Sequence, residues 1–189
     1  DNIYHEHYNY WSLTSLVNFF KKFNIKIYKA EKIDTHGGSL RIYLKKSKFV
    51  KEEESLKKLL KEEEKFGIKN FETYKKFGEK VNQIKKNVVE NIKKIKKKNI
   101  KIIGYGAPAK ATTALNFFNI NEEIDFIIED NKLKHGKYIP GMKIPIKSKS
   151  SKVINKQKIL VLAWNFFNEI KKNNKDLSSN MISIKNLEK

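Results

Sequence analysis

The chain has 189 residues, enough for one full domain or one and a half small ones around a packed core. Its formal charge of +20 invites a nucleic-acid partner, but Arg41 is the one arginine, so 40 of the 41 basic residues are lysine, and base-edge and bidentate phosphate recognition lean on arginine. With no cysteine for disulfides or thiolate chemistry and no apolar run near the ~20 residues of a bilayer span, the chain reads as soluble and cytoplasmic, with neither nucleic acid nor membrane as partner.

The sequence begins at Asp1 rather than Met and reads as the C-terminal fragment of a longer protein. It opens on Tyr4-His5-Glu6-His7, which holds two of the four histidines. Imidazole titrates near neutrality, and an adjacent carboxylate and phenol can orient it and tune its basicity. His7, Tyr4 and Glu6 are therefore candidate catalytic residues, although the same run also suits a solvated turn before a helix. Leu13, Leu16, Val17, Phe20 and Phe23 then recur at helical spacing behind Ser12, a good N-cap, which predicts a helix over 12–23.

Ile25 to Ala30 alternates like a half-buried strand, and Ser39 to Leu44 is a second such run. Thr35-His36-Gly37-Gly38 between them reads as a hairpin connection, with His36 as a candidate that can reach the same cleft as His7. From Lys51 to Lys98 the pattern is charge-rich helix, broken near Phe66-Gly67-Ile68. Phe71, Tyr74, Phe77, Val81, Ile84, Val88, Ile92 and Ile95 predict one long helix over 70–98 with an apolar docking stripe.

Beyond it the apolar run Ile100 to Ile103 meets a glycine turn and a helix to about Phe118. A strand over Ile124 to Ile128 ends in Glu129-Asp130-Asn131. A Pro/Gly-punctuated loop from Gly136 to Pro145 precedes a helix-like stretch, with His135 read as solvated. Strands over 158–163 and 181–184 flank a last helix after Trp164-Asn165. Strands alternating with helices imply an α/β, Rossmann-like fold with a mostly parallel, doubly wound sheet, preceded by a helix and β-hairpin; the boundary is placed so that 1–48 and 49–189 are separate domains.

Gly104-Tyr105-Gly106-Ala107-Pro108-Ala109 matches the first two glycines of a dinucleotide fingerprint, with a small residue at the third position. Such a turn presents backbone N–H groups at a helix N-terminus, where the macrodipole favours phosphate. Gly104, Gly106, Ala107 and Lys110 are thus candidate nucleotide contacts, and Asp130, or Glu129 before it, ends the next strand where a ribose contact is expected. Trp164 and Asn165 lie at a strand's carboxyl end, where open α/β sheets bind ligands. A stand-alone NAD(P)-binding module is one reading of these residues; a tight βα turn required by the fold alone is another.

Taken together, Asp1 to Tyr8, Thr35 to Arg41, Gly104 to Lys110, Tyr138-Ile139-Pro140-Gly141 with Ile144-Pro145-Ile146, and Leu162-Ala163-Trp164-Asn165 resemble the C-terminal half of S-adenosylmethionine-dependent sugar C-methyltransferases. The resemblance implies that residues 1–48 are the end of a class I methyltransferase domain and that 49–189 are the Rossmann-like C-terminal domain that helps hold the substrate, a nucleotide-linked keto-deoxysugar, typically dTDP-linked. His7 matches that family's proposed base, and Tyr4 and Glu6 its catalytic partners. It also implies that S-adenosylmethionine is bound mainly, and zinc wholly, by an upstream part. This stretch is then expected to hold no metal, to bind the methyl donor weakly at best and to be inactive alone.

Overall fold

The computed structural model of the chain describes residues 7–35, 38–47, 49–149 and 157–189. Its described residues divide into two compact units, His7–Glu79 and Lys80–Lys189.

In the first unit, α1 (Leu13–Lys21) precedes the antiparallel hairpin of β1 (Lys26–Ile33) and β2 (Ser39–Lys45), followed by α2 (Glu54–Phe66) and the start of α3 (Phe71–Lys97). Ser12 caps α1 as its sequence predicts, accepting the Ser15 N–H at 3.0 Å while Ser15 accepts the Ser12 N–H, also at 3.0 Å. The core is small: Leu13, Ile27, Ala30 and Leu56 are buried, with Leu16, Val17 and Phe20 packed against them. Phe23 leaves the expected stripe. Asn24 adopts φ 56° and closes the helix, so Phe23 is 55% exposed and meets Phe19 in a tilted ring contact at 5.2 Å. Tyr28 falls at a register shift between Ile27 and Lys29, a β-bulge, and its carbonyl accepts the Glu53 N–H that leads into α2. Gly67 (φ 79°) ends α2 at the expected break.

The second unit is a five-stranded sheet, parallel throughout, with β3 (Lys101–Tyr105), β4 (Ile124–Ile128), β5 (Ile146–Lys147), β6 (Gln157–Val161) and β7 (Met181–Ser183) arranged β5-β4-β3-β6-β7. Counting strands from β3, the order is third, second, first, fourth, fifth, which is the Rossmann-like arrangement, with its switch point between β3 and β6. Strand alternation divides the core in two. Ile102, Ile127, Leu160 and Leu162 face α3 and α4 (Ala109–Phe118), whereas Ile103, Tyr105, Ile128, Ile159 and Val161 face α5 (Phe167–Asn173).

Only part of the long helix stripe docks within its unit. Val88 and Ile92 are fully buried, with Ile84 and Ile95 beside them, but Phe71, Tyr74 and Phe77 are each more than half exposed. The helix-like stretch expected after Pro145 is corrected at its start: Ile146–Lys147 is the edge strand β5, paired with Ile127 and Ile128, and residues 150–156 lie outside the described set.

Candidate functional site

The switch point of the sheet is built from two loops, the β3–α4 turn and the loop after β6. Gly104 sits inside the sheet, where an added Cβ would lie 2.7 Å from Ile127 Cγ1 and 3.0 Å from Leu162 Cδ1. Gly106 has φ +84°, and its Cβ would meet the Cβ of Ala163 at 3.1 Å. Both glycines of the fingerprint therefore answer to close packing between neighbouring strands and loops. On the surface above them, Lys110 Nζ lies 5.5 Å from the centre of the half-buried Trp164 ring, and Asn165 is exposed.

The backbone donors of the turn are spoken for. Gly106 N–H donates to the Ile128 carbonyl at 2.8 Å, and Ala107 N–H donates to Glu129 Oε2 at 2.8 Å. Pro108, the N-cap of α4, has no N–H to offer. Glu129 Oε1 accepts the Asn131 N–H at 3.0 Å, and Lys134 Nζ bridges the Ala107 carbonyl (2.9 Å) and Glu129 Oε2 (3.5 Å). Burial alone pushes the Glu129 carboxyl up, but the Asn131 and Ala107 N–H groups and the Lys134 charge outweigh it and hold the group below its ordinary value.

Asp130 points elsewhere. It accepts the Tyr105 hydroxyl at 2.8 and 3.0 Å on the α5 side of the sheet, where Asn174 Oδ1 is 3.3 Å from the same oxygen. Burial, with the hydrogen bond to Asp130 next, pushes the Tyr105 phenol up to about 12. Glu129 continues the face of Ile127 toward α4, and Asp130 that of Ile128 toward α5, so strand alternation decides which of the two acids reaches the turn. His135, expected to be solvated, is instead half-buried, with Nε2 donating to the Glu129 carbonyl oxygen at 2.7 Å. Lys134 and His135 carry no motif of their own, and only the three-residue helical turn at Lys132–Lys134 folds them back over the end of β4.

Among the expected residues, the switch point therefore gathers Gly106, Ala107, Lys110 and Trp164, with Gly104 beneath them in the core. In the first unit His7 is exposed, its ring 6.0 Å from that of Tyr10. Tyr4, Glu6 and His36 lie outside the described residues. A separate pocket of about 880 Å³ in that unit is lined by Thr14, Leu60, Lys61, Glu64, Ile68 and Phe71 among others, and by none of the expected site residues. Among the described residues no cluster of His, Asp or Glu has the arrangement to hold a metal ion, and no helix is long and apolar enough to cross a membrane.

Residues 34–183 match the family described as the C-methyltransferase C-terminal domain. The chain belongs to that family. It is also 31% identical over 183 residues to the C-methyltransferase NovU of Streptomyces niveus, an alignment that covers 95% of this chain and 44% of that protein. The chain thus spans less than half the length of the curated relative it matches. Within this C-methyltransferase C-terminal domain the matched span holds the whole switch point, from Gly104 through Glu129 and Lys134 to Trp164, while His7 lies ahead of it.

Proposed function

We propose that the chain is the C-terminal part of an S-adenosylmethionine-dependent C-methyltransferase that acts on a nucleotide-linked keto-deoxysugar. The observation that carries this reading is the family match over residues 34–183 together with identity to a C-methyltransferase along nearly the whole chain. Residues 1–48 are then the end of the methyltransferase domain and 49–189 the C-terminal domain. His7 removes the proton on the carbon beside the sugar ketone, with Tyr4 and Glu6 orienting the sugar and the imidazole. The enolate carbon forms its new bond as the sulfonium–methyl bond of the donor breaks. General-base assistance of this kind is worth ~100- to 10,000-fold in rate.

The C-terminal unit contributes substrate contacts at its switch point. Lys110 and Trp164 offer a cation and an aromatic face side by side at the carboxyl ends of the strands, with Asn165 exposed at the rim, in the place where open α/β sheets hold ligands. Gly104, Gly106 and Ala107 shape the floor beneath them, and His36 is assigned to the sugar side. The methyl donor and a zinc ion are assigned to an upstream part. The NAD(P)-module alternative is disfavoured by the contact of Glu129 with the Ala107 N–H, which puts negative charge where a dinucleotide would set its phosphates.

The reading is tested by incubating the full-length protein with S-adenosylmethionine and a panel of dTDP-linked keto-sugars and following the sugar by mass spectrometry. A gain of one methyl group on carbon supports it. Turnover of no nucleotide-linked sugar, or methylation of oxygen, removes it.

A further inference from the structure

We propose that Glu129 is a specificity-determining residue that closes the β3–α4 turn to phosphate at Gly106 and Ala107, so that this Rossmann-like unit sets no diphosphate on those two amides. The proposal rests on the nucleotide-sugar reading only in saying where the diphosphate of that substrate does not go.

A glycine turn takes phosphate when its amides point into open space, when the missing side chains let the ligand approach, and when the local charge is unbalanced in favour of an anion. Each condition fails here through a named residue. The Gly106 amide is taken by the Ile128 carbonyl, the Ala107 amide by Glu129, and Pro108 has none. The space left by the absent Gly106 side chain is filled by Ala163, and that left by Gly104 by Ile127 and Leu162. Lys134, the cation on the inner side of the turn among the described residues, is already paired with Glu129, whose side chain is only 13% exposed.

A phosphate entering at Ala107 would have to displace a carboxylate that is itself the anion of this site. It would break the Ala107 and Asn131 hydrogen bonds to that carboxylate and separate it from Lys134. The displaced carboxylate would then stand beside the incoming charge with its compensating groups lost, a like-charge contact in a partly buried setting. Glu129 thus serves the turn as an internal anion, and recognition by this unit is left to groups other than these two amides.

Inorganic pyrophosphate titrated into the 189-residue chain, with backbone amides followed by two-dimensional NMR, tests this directly. Surface lysines of so basic a chain will respond in any case; the deciding resonance is Ala107 N–H. In the wild type it is expected to stay put, and in Glu129→Gln to move saturably, with at least about tenfold tighter pyrophosphate binding at that resonance. A saturable Ala107 shift in the wild type, or a Glu129→Gln chain whose Ala107 responds no more than the wild type's, overturns the proposal. Should Glu129→Gln fail to fold, the wild-type titration decides alone: a silent Ala107 supports closure and a responding one refutes it. Sugar methylation by the full-length protein is a separate readout, so a chain with a silent Ala107 whose parent methylates no sugar refutes the function and leaves this inference standing.

Discussion

Glu63 in α2 accepts both the backbone N–H of Thr14 at 2.7 Å and its hydroxyl at 2.6 Å, across 49 residues of chain, while its other oxygen takes the Leu13 N–H at 2.6 Å. The first amides of α1 are thereby satisfied by a neighbouring helix, and a negative charge is set at its N-terminus. Glu63→Ala is expected to cost about 1 to 3 kcal/mol in urea unfolding, against about 1 kcal/mol for Ser12→Ala, whose neighbouring donors keep Glu63. Equal, near-zero losses would show that this long-range cap contributes nothing.

The two fingerprint glycines are expected to fail as packing residues rather than as ligand contacts. Gly104→Ala drives a methyl to 2.7 Å from Ile127 Cγ1, and Gly106→Ala adds a side chain at φ +84° and 3.1 Å from Ala163. Each should lower stability by about 1 to 3 kcal/mol. Gly38, at φ +116° with nothing within 4 Å of its Cβ position, isolates the backbone part of the effect. Thermal melts of the three variants check the order: Gly38→Ala should show strain without overpacking and fall least.

Tyr105 makes the second unit sensitive to alkali. Its folded pKa of about 12 lies above the ordinary value of 10.0, so the neutral phenol is what folding favours. The stability this supplies is fully present below about pH 10 and is lost as pH rises through 10 toward 12. Tyr105→Phe should be less stable than wild type at pH 8, with the gap narrowing across that window. Lysine titration affects both chains alike, so the difference between their unfolding free energies is the quantity to follow. A gap that does not change with pH contradicts the assignment.

On the acid side the sign is reversed. Glu129 is held below its ordinary value, so its contribution is present above about pH 4.5 and is lost as pH falls through its folded value. Glu129→Gln should remove that slope and leave the rest of the acid unfolding curve in place. An unchanged slope in the variant would mean that other carboxylates account for it.

Much of this architecture was legible from residue patterns, because the second unit is regular: a strand buried on both faces reads as an apolar run, and Ile159 to Leu162 is one. The family was legible too, in blocks of residues kept in order along the chain. What escaped the pattern depended on contacts distant in sequence. Glu63 looks like one acid in a charged helix until α1 is set beside it. The two-residue β5 is too short for any period to reveal. The choice between Glu129 and Asp130 turns on which face of β4 each continues, visible only once Ile127 is known to pack toward α4 and Ile128 toward α5. The stripe of α3 was right for Val88 and Ile92 but overextended to Phe71, Tyr74 and Phe77, which share the spacing and stay exposed. Ile92→Ala should accordingly cost about 2 to 5 kcal/mol and Phe77→Ala under about 0.5 kcal/mol.

The central claim is that His7 takes the proton from the carbon that is methylated. Full-length enzyme carrying His7→Ala, supplied with the nucleotide-linked keto-sugar in deuterium oxide and without the methyl donor, should lose deuterium uptake at that carbon by about 100-fold or more, in step with methyl transfer. Uptake at the wild-type rate would place the base elsewhere and contradict the account.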